Sequence, residues 1–174
     1  MKMKLTKTEQ VLVFELSRYS VEKYTVTKFC QKLDINRGAF YRRYSNICDL
    51  FTSVLTLQTR RALRSVGNES MDRMFYRMLK KIKENKTFYG NLHRIAKDPP
   101  LFYRVLRKEY ALAIENYMRP RGPFSVRKVE LVANGIYAII FNWVVDECRH
   151  DIRDVYQSIH LLLTHIEQTI RRTE

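Results

Sequence analysis

The stretch TVTKFCQKLDINRGAFYRRY, residues 25–44, contains two short amphipathic segments separated by a turn. Thr25 is placed to cap a first helix over residues 26–33, and Asn36 is placed to cap a second over residues 37–44. Asp34 and Ile35 form the turn between them. The second segment is rich in arginine, and two helices joined in this way predict a helix-turn-helix, whose second helix enters the DNA major groove.

The residues of the second helix divide between a buried face and a face available to DNA. Phe40 and Tyr44 are four residues apart and share one face, so Phe40 is expected to fill the core. Arg37 and Ala39 are predicted to read bases, and the hydroxyls of Tyr41 and Thr27 to hold phosphates. The full set of predicted DNA contacts is Thr25, Thr27, Lys28, Asn36, Arg37, Gly38, Ala39, Tyr41, Arg42 and Arg43.

Apolar residues recur at helical spacing on both sides of this stretch, and no alternating pattern indicates a strand. We predict an all-α fold in which Leu12, Leu16 and Tyr19 form the inward stripe of the first helix. Outside the helix pair, helices are predicted over residues 7–19, 45–66, 70–84, 87–97, 99–117, 125–148 and 152–171. We divide the chain into a helix-turn-helix head, residues 1–47, and a helical regulatory and dimerisation body, residues 48–174.

The charge of the chain favours a polyanionic partner. The net charge is +14, and residues 1–66 hold 13 Lys and Arg against 5 Asp and Glu. Double-stranded DNA is the predicted partner, and the alternative is a basic protein that binds RNA or an anionic membrane surface through bulk charge. Only the helix pattern of residues 25–44 separates the two, because bulk charge does not require it.

Cysteine usage and hydropathy predict a soluble cytoplasmic protein. The three cysteines have no paired spacing, which fits a reducing compartment. The longest apolar stretch, residues 136–145, is interrupted by Asn142 and is too short to span a bilayer.

Nothing in the sequence predicts an active site, so we expect no enzyme, no cofactor and no membrane partner. The chain has no glycine-rich phosphate loop and no nucleophile elbow. His150, His160 and His165 lack the spacing of a metal site, because residues five apart do not share a helix face.

The segment over about residues 5–57 resembles the DNA-binding head of the tetracycline-repressor (TetR) family. The resemblance is carried by Thr25-Val26, Asp34-Ile35-Asn36, Arg37-Gly38-Ala39, Phe40-Tyr41, Tyr44 and Asp49-Leu50. Two positions depart from the family pattern. Asp34 replaces the usual Gly or Asn of the turn, which is tolerable because Asp can adopt left-handed conformations. Ile47 replaces a lysine that binds phosphate in the family.

The segment ELVANGIYAIIFNWVVDEC, residues 130–148, resembles part of the last domain in a TetR subgroup that includes regulators related to the dihydroxyacetone-kinase activator. The resemblance implies a homodimeric regulator, most often a repressor, that binds a palindromic operator. It also implies that the final two helices of each subunit form a four-helix interface. The residues assigned to this interface are Leu131, Ile139, Trp143, Ile159, Leu163 and Ile166.

Methionine and aromatic residues of the body suggest a ligand pocket. The candidate lining residues are Met74, Met78, His93, Phe102, Tyr103, Tyr110 and Tyr137. Such spacing also fits plain core packing, and a protein or peptide partner is an alternative to a small-molecule effector.

Overall fold

The computed structural model describes residues 6–64, 69–96 and 99–171, with residues 99–101 and 167–171 described as backbone only. Within these ranges every regular element is helical, which confirms the all-α prediction. The helices are α1 (Lys7–Ser17), α2 (Val26–Leu33), α3 (Arg37–Tyr41), α4 (Ile47–Leu63), α5 (Met71–Glu84), α6 (Lys86–Ile95), α7 (Pro99–Met118), α8 (Val126–Val145) and α9 (Ile152–Arg171), with a 3₁₀ turn at Arg119–Arg121.

Side chains that cap helix N-termini fix where most of these helices begin. At α1 the Glu9 amide donates to Thr6 Oγ1 over 3.3 Å, and the Thr6 amide donates to Glu9 Oε2 over 2.8 Å. This reciprocal pair is a capping box. Further helices begin at side-chain caps formed by Thr25, Asn36, Asn46, Ser70 and Ser125.

The predicted helix ends are less accurate than the starts. α1 ends at Ser17, so the prediction that Tyr19 joins the inward stripe is wrong, and its side chain is 56% exposed. α8 ends at Val145, because Glu147 and Cys148 adopt left-handed φ angles of 53° and 54°. α4 ends at Leu63, and the predicted end of this helix at residue 66 lies outside the described residues.

A continuous core runs from the head into the body, and α4 contributes to both parts. On the head side, the ring of Phe51 lies 6.4 Å from that of Tyr24, which precedes α2. Further along, α4 packs against α5 and α7, which in turn contact α9 and α8 respectively. The predicted boundary between the head, residues 1–47, and the body, residues 48–174, therefore stays a prediction.

An ion pair between an exposed arginine and a buried glutamate joins α4 to α7. Arg60 Nε lies 2.6 Å from Glu109 Oε2, and Arg60 Nη2 lies 2.7 Å from Glu109 Oε1. The Glu109 side chain is buried, so the two charge-assisted hydrogen bonds offset the cost of removing its charge from water. This pair holds the C-terminal half of α4 against the middle of α7.

α8 is an apolar helix of the core. By length and composition it could cross a membrane, but buried helices of globular folds often have the same length and composition. Its buried residues Val129, Ala133 and Ile136 face the neighbouring helices of the same chain, chiefly α7 and α9.

One buried side chain, Asn91 of α6, joins the body to the head. Its Nδ2 donates to the carbonyl oxygens of Leu16, over 2.9 Å, and of Tyr19, over 2.7 Å. Its Oδ1 accepts from the Val21 amide over 2.9 Å. The carboxamide thus satisfies backbone groups that the end of α1 leaves without helical partners.

Replacing Asn91 by Ala leaves these three backbone groups unpaired in a buried site. We expect the free energy of unfolding to fall by about 3 kcal/mol. Urea denaturation followed by circular dichroism measures the change. The matched control is Asn116→Ala, on the exposed side of α7, for which a change within about 0.5 kcal/mol is expected. Similar values for the two variants would contradict the role given to Asn91.

Candidate nucleic-acid interface

The turn between α2 and α3 is closed by backbone hydrogen bonds. Asp34 has φ 53° and ψ 49°, so it lies in the left-handed region, as the sequence predicts. The Ile35 amide donates to the Cys30 carbonyl over 3.0 Å, which caps the end of α2. The left-handed residue turns the chain sharply and places α3 across α2.

Phe40 fixes the orientation of α3. The side chain is 1% exposed, and its ring meets that of Phe29 of α2 edge-on, with 5.8 Å between centroids. Tyr44, also buried, lies 5.4 Å from Phe40. Because this aromatic cluster holds one side of the five-residue helix, the opposite side faces outward.

The outward side of α3 and the turn that follows it carry three cations. Arg37, Gly38, Tyr41, Arg42 and Arg43 are all exposed. Arg37 Nη2 donates to the Tyr41 hydroxyl over 3.2 Å, and its guanidinium carbon lies 5.7 Å from the centre of the Tyr41 ring. The hydrogen bond to Tyr41 raises the pKa of Arg37. Tyr41 therefore holds the Arg37 side chain along the helix.

Two of the predicted DNA-contacting side chains also serve as helix caps. Thr25 Oγ1 accepts from the Lys28 amide over 3.2 Å, and Asn36 Oδ1 accepts from the Ala39 amide over 2.8 Å. The Thr25 hydroxyl keeps its proton, so it can still donate to a phosphate. Thr27 is exposed, and Lys28 Nζ lies 5.3 Å above the ring of Tyr24.

The position of Ile47 explains why an apolar residue is accommodated there. Asn46 Oδ1 accepts from the Asp49 amide, and Asp49 Oδ2 accepts from the Ser45 amide, each over 3.0 Å, so polar residues cap α4 on either side of Ile47. The Ile47 side chain is half-buried and packs against the core. It therefore adds apolar contact at the position where the resemblance leads one to expect a cation.

The residues predicted to line a pocket do not form one site. His93, Phe102 and Tyr137 line a cavity of about 250 Å³. Met78 and Tyr110 line a narrow gap that adjoins it. Met74 lies in a separate groove beside Arg60 and Glu109. Tyr103 lies on the outside, where its hydroxyl donates to Asn134 Oδ1 over 3.0 Å.

Most of the residues assigned to the dimer interface lie in the core of the monomer. Trp143, Ile159, Leu163 and Ile166 are each at most 3% exposed. The apolar stripe of α9 is covered by α5 and α8 of the same chain. The prediction that these four side chains form a dimer interface is therefore wrong. Leu131 is 62% exposed and Ile139 is half-buried, and for these two the role stays a prediction.

The roles of Asn91, Arg94 and Ser20, which connect α6 to the head, are not predicted from the sequence. Arg94 Nη1 donates to Asn91 Oδ1 over 2.9 Å and also to Ser20 Oγ. No signal in the sequence relates residues more than seventy positions apart. In the described ranges, no group of three His, Cys, Asp or Glu side chains could hold a metal ion.

A helix-turn-helix seated on a helical body defines a regulator-like fold. One solved structure with this architecture is described as "Dihydroxyacetone kinase operon activator DhaS". The two chains are 17% identical, with a TM-score of 0.61 over 92% of this chain and 97% of that chain. At this identity the likeness shows the fold. No protein-family model matches the sequence, and no curated protein matches it.

The left-handed conformation of Asp34 can be tested by substitution. Asp34→Ala is expected to lower the free energy of unfolding by about 1 kcal/mol, because a Cβ without a local polar partner disfavours this region. Asp34→Gly is expected to be at least as stable as the wild-type chain. Urea denaturation checks the order, and an alanine variant as stable as the glycine variant would contradict it.

Proposed function

We propose that the chain is a DNA-binding regulator of transcription that acts as a homodimer. The observation that carries the proposal is the way α3 packs against the core. Phe40 anchors one side of this helix in the core, while Arg37, Arg42 and Arg43 extend from it and from the turn after it. The likeness of the fold to the operon activator DhaS supports the same class of function.

In this proposal Arg37 reads bases and the surrounding groups hold the phosphate backbone. An arginine can donate two hydrogen bonds to the O6 and N7 atoms of guanine. Arg42, Arg43, Lys28 and the hydroxyls of Thr25, Thr27 and Tyr41 are suited to phosphates. Asn36 and Ala39 lie at the N-terminus of α3, where the helix dipole favours an anion.

Gly38 supports a close approach of α3 to DNA. Its backbone does not require glycine, since its φ is not positive, and a Cβ there would meet only Asn36 Oδ1, at 3.3 Å. Glycine within a helix costs about 1 kcal/mol relative to alanine. A Cβ at this position would crowd the Asn36 oxygen that caps α3, and its absence also leaves room for a nearby duplex.

Arg37→Ala is expected to remove discrimination between a selected operator and a random duplex, while binding to the random duplex falls by less than about tenfold. Fluorescence anisotropy at fixed salt, with an operator selected from a random DNA pool, measures both affinities. Arg104→Ala, on the exposed side of α7, is the matched control.

Equal losses on the two duplexes would contradict the base-reading role of Arg37. A wild-type protein without preference for any selected sequence would instead favour the alternative of binding through bulk charge. Repression is our proposal for the sign of regulation, and a promoter fusion carrying the selected operator tests it.

We propose that a second copy covers the exposed apolar face of α8 and α9. Leu131, Ala138 and Val145 recur every seven residues on α8, and each is exposed. Leu161 of α9 is 71% exposed. Ile139, half-buried beside this face, adds to it. The resemblance to the TetR family supports an interface formed by these two helices. A two-fold dimer would bind half-sites about 34 Å apart.

The double variant Leu131→Asp/Leu161→Asp is expected to be a folded monomer, because it places two charges in an apolar interface. Size-exclusion chromatography with light scattering measures the mass. Leu112→Asp, at a 37% exposed position on α7, is the control and should remain dimeric. A double variant that stays dimeric would place the interface elsewhere.

A further inference from the structure

The cavity between α6, the start of α7 and the end of α8 has the character of a small-molecule site. Its volume is about 250 Å³, and most of its lining is apolar or aromatic. Tyr137 and Phe141 stack with 5.7 Å between ring centres, and the His93 ring lies 5.5 Å from that of Phe141. A cavity of about 150 Å³ can hold a benzene molecule, so this one has room for a single ring with a short substituent.

Gly90 keeps part of this space open. It lies in the middle of α6 and lines the cavity, and a Cβ built on it would meet nothing within 4 Å. Its φ is not positive, so the backbone does not require glycine. Since alanine would favour the helix by about 1 kcal/mol, the open space is the feature that the glycine preserves.

Arg94 supplies the positive charge of the lining. Its Nη1 is engaged by Ser20 and Asn91, while its Nε and Nη2 groups make no hydrogen bond to the described residues. Arg94 is exposed, and among the described residues its guanidinium is held at Nη1 alone. The Nε–Nη2 edge carries two parallel N–H donors, which match the two oxygens of a carboxylate.

The other polar groups of the lining limit the ligand further. His93 Nδ1 lies 2.9 Å from the Tyr89 carbonyl, which can only accept, so the proton is on Nδ1 and Nε2 is an acceptor. Burial lowers the pKa of His93, which keeps the ring neutral at pH 7. Glu147 is exposed in the lining, and its charge disfavours a ligand with a second negative group.

We propose that this cavity binds a small aromatic monocarboxylate whose carboxylate pairs with Arg94. A carboxylate on the Nε–Nη2 edge draws the guanidinium toward the cavity. Because Nη1 of the same guanidinium contacts Ser20 and Asn91, this displacement weakens both contacts and loosens the link between α6 and the end of α1. The regulatory part of this proposal rests on the proposed function. The binding of the ligand is independent of it.

Isothermal titration calorimetry on the DNA-free protein tests the site with benzoate and phenylacetate. Saturable binding at millimolar concentration is expected, with affinity at least about tenfold weaker for benzamide and phenylacetamide. Arg94→Gln and Gly90→Leu should each weaken binding by at least about tenfold, while Arg104→Gln should bind like the wild-type protein. Gly90→Leu fills the cavity but keeps Arg94 and its hydrogen bonds. Its effect on binding is therefore distinct from that of removing the Arg94 charge.

Glu147→Gln distinguishes an anionic ligand from a cationic one. Removal of this carboxylate should strengthen the binding of phenylacetate and should not create a site for phenethylamine. The proposal is overturned if neither carboxylate binds, if the amides bind equally well, or if the wild-type protein prefers phenethylamine and loses it in Glu147→Gln.

Amide hydrogen exchange at Val21 tests the coupling, because this amide donates to Asn91 Oδ1. Saturation with phenylacetate should raise its exchange rate by at least about threefold, with no such rise in Arg94→Gln. Binding without a change at Val21 would overturn the coupling. These readings are independent of DNA, so a failure of the proposed function in the anisotropy experiment is distinguished from a failure here.

Discussion

The buried carboxamide of Asn91 is the interaction on which the position of the head depends. The last carbonyl oxygens of a helix have no partners within the helix and need hydrogen-bond donors from elsewhere. The end of α1 is completed by a side chain from α6, so the head is attached to the body through hydrogen bonds with fixed directions. Such bonds define the angle between α1 and α6 more closely than apolar contact alone would.

This attachment gives α6 a central place in the molecule. One side of the helix holds the head through Asn91, and another side lines the cavity through Gly90 and His93. Arg94 belongs to both sides, since it contacts Ser20 and also lines the cavity. A small change in the cavity can therefore reach the end of α1, and with it the helix pair α2 and α3, through few contacts.

Local features of the sequence were sufficient to predict most of the fold. Caps such as Thr25 and Asn36 act on amides two or three residues away, and the burial of Phe40 follows from helical periodicity. Periodicity also shows that a helix has an apolar face, but it does not show which surface covers that face. For this reason the sequence predicts a dimer interface that includes Trp143 and Ile159, although both side chains are buried within one chain. The contacts of Asn91 depend on tertiary packing and leave no local pattern.

The shared use of α4 has a consequence for how the protein unfolds. Leu50, Phe51 and Val54 are fully buried, and α4 continues from the head core into contacts with α5 and α7. The five-residue α3 is far too short to persist by itself and depends on this common core. Head and body are thus expected to lose structure in one cooperative step, and a fragment cut before α4 would lack the residues that hold α3 in place.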